Sequence, residues 1–328
     1  MQILITGGAG FIGSHLSERL LDAGHSVVAL DDLSTGETAN LAQSSEHATF
    51  RFVEGCVLDE PLIRELVNEA DYVVHLAAAV GVRLIMEQPL RSFRVNTVGT
   101  ENVVTACSEL KKPLLLASTS EVYGKNTADR LTETSDRILG ATTVKRWSYA
   151  ASKAFDEMVA LMVAEQNGLD VRITRFFNTV GPRQSPAYGM VVPSLAKKAV
   201  DGEAITVHGD GMQTRCFCHV EDTVEAVVRL IDHPGGQSEV FNIGRPEEVT
   251  ILDLASRIRS AADSESLILT VPYDEAFGSG FEDMRRRVPA IDKINDFVGW
   301  TPKVTLDEII QDAVQDARAM GDRAFSSV

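Results

Sequence analysis

The chain has 328 residues, of which 44% are hydrophobic and 24% charged, which suits a soluble globular protein with a large core and room for two lobes. Its formal net charge of −16 and pI near 4.9 exclude a general basic surface for nucleic acid or anionic membrane. No apolar run reaches the roughly 18 residues of a membrane span, and Cys56, Cys107, Cys216 and Cys218 are too scattered for a disulfide framework. With no basic leader before the first strand pattern, a reducing, cytoplasmic location is expected. Cys216, Cys218 and His219 lie together in TRCFCHV, but no second ligand pair accompanies them, so no metal site is expected.

Strand and helix patterns alternate through the first half. ILIT (3–6) reads as a buried strand, and SHLSERLLDAG (14–24) as an amphipathic helix closed by Gly24. SVVAL (26–30), ATFRFVEG (48–55), YVVHLAA (72–78), PLLLAST (113–119) and VRITRFF (171–177) read as further strands. Helices are expected at 60–70, with Pro61 in its first turn, at about 90–110, and around Tyr149. This alternation predicts an α/β fold: a doubly wound, Rossmann-like parallel sheet with a smaller α/β substrate lobe. Residues 1–177 would form the cofactor-binding domain, with a segment near 217–245 returning to it. Residues 178–216 and 246–328 would form the lobe, where Gly and Pro become frequent.

TGGAGFIG (6–13) follows the first strand and opens the first helix. Gly7, Gly10 and Gly13 allow a tight turn and let backbone N–H groups approach a pyrophosphate. The second strand ends in Asp31, placed to bond adenosine ribose hydroxyls and to repel a 2′-phosphate, so NAD is favoured over NADP. Phe11, Ile12, Asp32 and Val57 are expected to line the same site.

WSYAASKAFDE (147–157) places Tyr149 and Lys153 four residues apart on a helix, hence on one face. That spacing suits either a surface pair or an acid–base device. With the glycine loop, STSEVYG (118–124), VNTVGTENVV (95–104), FNTVGPR (177–183) and FNIG (241–244), the chain resembles the extended short-chain dehydrogenase/reductases that act on nucleotide sugars. The resemblance implies Thr119, Tyr149 and Lys153 as catalytic residues and NAD as cofactor. It implies Leu76, Ala77, Ala78 and Asn96 at the cofactor, and Asn178 at the diphosphate of a UDP-sugar. Val191, Val192 and Arg215 would hold the nucleotide, and a homodimer through a helix bundle is expected. Cys56 stands where the family often has an acidic residue facing adenine.

By that resemblance, Tyr149 would deprotonate a sugar hydroxyl and give a transient 4-keto sugar. Thr119-Ser120-Glu121 lacks the Asp of the dehydratases, so dehydration is disfavoured. Thr-Ser-Glu is instead similar to enzymes of UDP-glucuronate, where a 4-keto group makes a β-keto acid. HLAAAVGVRLIMEQP (75–89), with Val82 and Arg83, is similar to the substrate loop of 4-epimerases. The first expectation is therefore a UDP-sugar 4-epimerase taking UDP-glucuronate to UDP-galacturonate, with Arg183, Ser120 and Glu121 holding the carboxylate. The alternatives are a UDP-glucuronate decarboxylase using Glu121 and Arg287 (Arg286 as rival), a UDP-glucose 4-epimerase, or a silent NAD-binding regulator.

Overall fold

The computed structural model describes residues 1–80, 88–186, 190–235, 238–277, 282 and 284–326. Seven strands form one parallel sheet: β1 (Gln2–Thr6), β2 (Ser26–Asp31), β3 (Phe50–Glu54), β4 (Tyr72–His75), β5 (Leu114–Thr119), β6 (Val171–Phe176) and β7 (Glu239–Ile243). Their spatial order is β7-β6-β5-β4-β1-β2-β3. The order reverses between β1 and β4, and there the carboxyl ends open a crevice, the usual ligand position in such sheets.

The period of two along each strand divides the core between two faces. Ile3 and Ile5 pack with α1 (Phe11–Asp22) and with the later helix Val220–Asp232, through Leu16, Leu20, Val224 and Val227. Leu4, Leu114 and Leu116 point the other way. They meet α2 (Glu60–Glu69), α3 (Pro89–Leu110) and α4 (Ser148–Asn167) through Ile63, Val103 and Ala160. Each such buried aliphatic chain contributes about 1.5–3 kcal/mol.

The strand expected over 72–78 stops at His75. Its partner β1 ends there, with Thr6 opposite His75. Leu76 still donates its N–H to the Thr6 carbonyl at 3.0 Å, and Ala77 and Ala78 then leave the ladder along the crevice. Glu239–Ile243 pairs in parallel with β6, from Glu239 opposite Arg172 to Ile243 opposite Phe176.

A separate apolar cluster joins helices Val191–Val200, Ile251–Ala261 and Leu306–Ser326 around Leu195, Phe217, Leu254 and Ile309. Short strand pairs brace it, among them Ile205–His208 with Ile268–Val271. Among the described residues, no helix is long and apolar enough to cross a membrane.

Candidate active site

A cleft of about 1230 Å³ runs from the glycine loop, past the ends of β4 and β5, into the second cluster of helices. That is more space than one small ligand needs.

At one end the backbone makes a cradle. Gly7 has φ +76°, which favours glycine, and a Cβ added at Gly13 would lie 2.2 Å from the Gly7 carbonyl oxygen. Gly10 leaves the start of α1 with no side-chain cap, so N–H groups there remain available to an anion. Asp31 lies beside the cradle, accepting N–H groups from Ala9 at 3.0 Å and Leu33 at 2.9 Å. Burial pushes its carboxyl above the usual range. Asp32 accepts from Ser34 at 3.0 Å and from the Cys56 thiol. Phe11, Ile12, Val57, Leu76, Ala77 and Ala78 line this end. The glycine cradle, the uncapped helix start and the carboxylate at the end of β2 fit a dinucleotide.

Tyr149 and Lys153 rise from the first turns of α4, facing Thr119 at the end of β5. Tyr149 hydrogen-bonds Thr119. Burial and the carboxylates Glu121 and Asp156 nevertheless hold its phenol well above its ordinary pKa. Lys153 is buried against Asp156, at 3.2 Å. Its charge is thus shared with a carboxylate one helical turn away, so the sheltered protein has a neutral phenol.

Beside this trio sits a carboxylate held by two arginines. Glu121 follows Ser120 in the short 3-10 turn after β5. Arg146 grips it with both terminal nitrogens, one bond being 3.0 Å, and Arg287 Nη1 donates to Glu121 Oε1 at 2.8 Å. Desolvation alone would raise the Glu121 pKa; the two guanidiniums outweigh it and hold the carboxyl far below its usual range. Arg287 Nη2 donates to Asn178 Oδ1 at 3.0 Å, and Asn178 Nδ2 donates to the Cys216 carbonyl at 2.7 Å. The Asn178 amide, itself fixed to the Cys216 carbonyl, therefore anchors Arg287 through its oxygen.

Several expected positions lie elsewhere. Asn96 is buried behind the cleft wall, accepting the Ala79 N–H at 2.8 Å and approaching Ser152 Oγ at 3.4 Å. It positions the wall and is not on it. Arg183 does not join Ser120 and Glu121. It pairs with Glu18 of α1 at 2.8 Å and donates to the Asn40 carbonyl at 3.3 Å, on the cradle side. Arg286 is held outside by Glu248 and Asp129, and Arg285 by Asp210, which leaves Arg287 as the inward member of that run. Val191, Val192 and Arg215 line the far end. Val82 and Arg83 lie outside the described residues. Among the described residues, no group of three or more metal-ligating side chains forms.

Sequence reasoning assigns no role to Arg146 or Asp156. The available signal for Arg146 was an arginine three residues ahead of Tyr149, so about one turn from it. Its partner Glu121 is distant in sequence, and only the fold joins them.

A family model described as the NAD dependent epimerase/dehydratase family matches residues 3–244. A UDP-N-acetyl-alpha-D-glucosaminuronate decarboxylase from Bacillus cytotoxicus is 39% identical over 96% of this chain and 97% of its own length. UDP-glucuronic acid decarboxylase 1 of Danio rerio is 36% identical over 96% of this chain and 72% of its own. Among solved structures, UDP-glucuronic acid 4-epimerase from Bacillus cereus, in complex with UDP-glucuronic acid and NAD, is similar with TM-score 0.88 at 26% identity, covering 98% of this chain and 100% of that one. The UDP-glucose 4-epimerase of Thermotoga maritima gives TM-score 0.88 at 28% identity, covering 98% and 99%.

Proposed function

We propose that this chain, which belongs to the NAD-dependent epimerase/dehydratase family, removes carbon dioxide from a UDP-linked hexuronate by way of a 4-keto intermediate. The observation that carries this reading is Arg287, buried beside the Tyr149 site and paired with Glu121. It reverses the order expected from sequence. The epimerase reading gives the carboxylate to Arg183 together with Ser120 and Glu121, whereas Arg183 pairs with Glu18 and the Asn40 carbonyl. The decarboxylases among the relatives support the same order.

Bound NAD supplies a reversible two-electron oxidant at the sugar C4, held by Gly7, Gly10, Gly13 and Asp31. Tyr149 must first lose its own proton to solvent; as a phenolate it then accepts the proton of the C4 hydroxyl, while Thr119 donates a hydrogen bond to the same oxygen. Lys153 contributes positive charge beneath the phenol. In the resulting β-keto acid the C5–C6 bond breaks and its electron pair passes towards the C4 oxygen. That oxygen takes back the proton held by Tyr149, and carbon dioxide leaves. C5 then takes a proton from solvent as the C4 enol oxygen returns its proton to Tyr149, and reversal of the C4 oxidation, with that proton delivered to the C4 oxygen, gives the pentose. Arg287 pairs with the C6 carboxylate before it leaves. Glu121, held ionised by its arginines, has no proton to give, so its part is electrostatic. Val191, Val192 and Arg215 are assigned to the nucleotide end.

A second reading, 4-epimerisation of the same uronate, draws on the similarity to the Bacillus cereus epimerase. Purified protein with catalytic NAD should be given UDP-glucuronate and, separately, UDP-N-acetylglucosaminuronate, and the sugar protons followed by NMR. A pentose or 4-keto pentose product supports the proposal. A C4-inverted uronate replaces it with the second reading, and turnover of UDP-glucose alone overturns both.

Leu90 (81% exposed), Phe93 and Val98 on α3, with Phe155, Met158 and Met162 on α4, make an apolar stripe over two adjacent helices. We assign this stripe to a homodimer interface. Light scattering giving a monomer mass at micromolar concentration would contradict it.

A further inference from the structure

Glu121 is shared by two buried arginines, Arg146 at 8% and Arg287 at 6% exposed, in a sheltered wall. Arg287 also keeps its Nε buried with no hydrogen-bond partner among the described residues, while its terminal nitrogens go to Glu121 and Asn178. A guanidinium can take a carboxylate bidentately along its fork. The cluster adjoins the reacting centre, because Glu121 and Arg146 both bear on the Tyr149 phenol.

We propose that Arg146 and Arg287 form a two-guanidinium carboxylate site that Glu121 fills until substrate arrives. An incoming uronate takes Arg287, and Arg146 keeps Glu121 from following it. The inference rests on the uronate reading and deepens it. Arg146 is then a positioning residue that sets specificity: its bidentate grip stops an internal carboxylate from competing with the substrate's. Arg287 is anchored to Asn178 throughout, so only the Glu121 bond need be exchanged.

The test uses NAD-loaded protein carrying Tyr149→Phe to stop turnover, titrated with UDP-glucuronate and with UDP-glucose. The parent should prefer UDP-glucuronate. Arg146→Gln should cut that preference about tenfold by letting Glu121 settle on Arg287, with UDP-glucose affinity unchanged. Glu121→Gln should raise the preference. In the presence of Glu121→Gln, the effect of Arg146→Gln should shrink to less than about threefold. Arg146→Lys, which keeps the charge and loses the fork, should fall between. If Arg146→Gln binds neither sugar, the Arg146→Lys and Glu121→Gln ratios decide in its place. Equal weakening of both sugars, or the same loss of preference with and without Glu121, overturns the proposal. So does a parent with no preference for the uronate. Failure of the wild-type protein to release carbon dioxide removes the decarboxylase reading alone, since these binding ratios do not depend on it.

Discussion

Lys153 Nζ lies 3.2 Å from Asp156 Oδ2, and both side chains are buried in α4. The lysine expected to ease ionisation of Tyr149 is thus partly neutralised from its own helix, and Asp156 itself raises the Tyr149 pKa. Removing that carboxylate should release the lysine's field. Asp156→Asn is predicted to move the acid limb of the kcat profile to lower pH by about one unit. The direction follows because Tyr149 must be ionised to accept the proton. A pH–rate profile checks it; an unmoved limb, or one shifted to higher pH, would show that Asp156 does not act through Tyr149.

The cradle makes a steric prediction. A Cβ at Gly13 would sit 2.2 Å from the Gly7 carbonyl oxygen and 2.9 Å from the Gly8 Cα, both of them backbone atoms that cannot swing aside. Gly13→Ala should cost about 1–3 kcal/mol of stability and abolish copurifying NAD. The ratio of absorbance at 260 to 280 nm, with a thermal melt, measures both.

Arg183 and its neighbour Pro182 strap the lobe loop to α1. Besides the Glu18 pair, His15 Nε2 lies 3.0 Å from the Pro182 carbonyl oxygen. Arg183→Ala should speed NAD release about tenfold and leave uronate selectivity alone. Stopped-flow displacement of NAD follows the first, and titration the second. Loss of UDP-glucuronate binding with UDP-glucose unaffected would return Arg183 to the carboxylate and revive the epimerase reading.

Much of the fold was legible locally. Short apolar runs, the glycine spacing and Asp31 at the end of β2 are each decided within a few residues of sequence. The site was legible only in part. Tyr149 and Lys153 share a helix face, so their pairing is written in their spacing. Glu121, Arg146 and Arg287 come from β5's end, the approach to α4 and the segment after the last lobe strand, and no local pattern says which carboxylate an arginine will meet. Arg183 illustrates the cost. Its chemistry suits a substrate carboxylate, yet Glu18 reaches it first. The middle of the epimerase-like stretch 75–89, residues 81–87, lies outside the described residues.

Acid should weaken the fold earlier than carboxylate protonation would. His75 is buried between Thr6 Oγ1 at 2.6 Å and Thr100 Oγ1 at 3.1 Å, and burial lowers its pKa from 6.5 to about 3. His15 is lowered to about 4, chiefly by burial. Below pH 6.5 the unfolded chain binds these protons and the folded one does not, so stability falls as pH drops. His75 alone should cost about 2 kcal/mol by pH 5. Urea unfolding between pH 7 and 5 measures this; a flat stability would mean that His75 protonates as readily in the folded protein.

If the pairing of Arg287 with Glu121 serves carboxylate chemistry, the fate of the carboxyl carbon shows it most directly. UDP-glucuronate labelled with 13C at C6 should be incubated with the NAD-loaded protein in a sealed NMR tube. The label should leave the sugar and appear as carbon dioxide and bicarbonate, and Arg287→Ala should suppress this while UDP-glucose still binds. Label retained on a sugar inverted at C4 would contradict it.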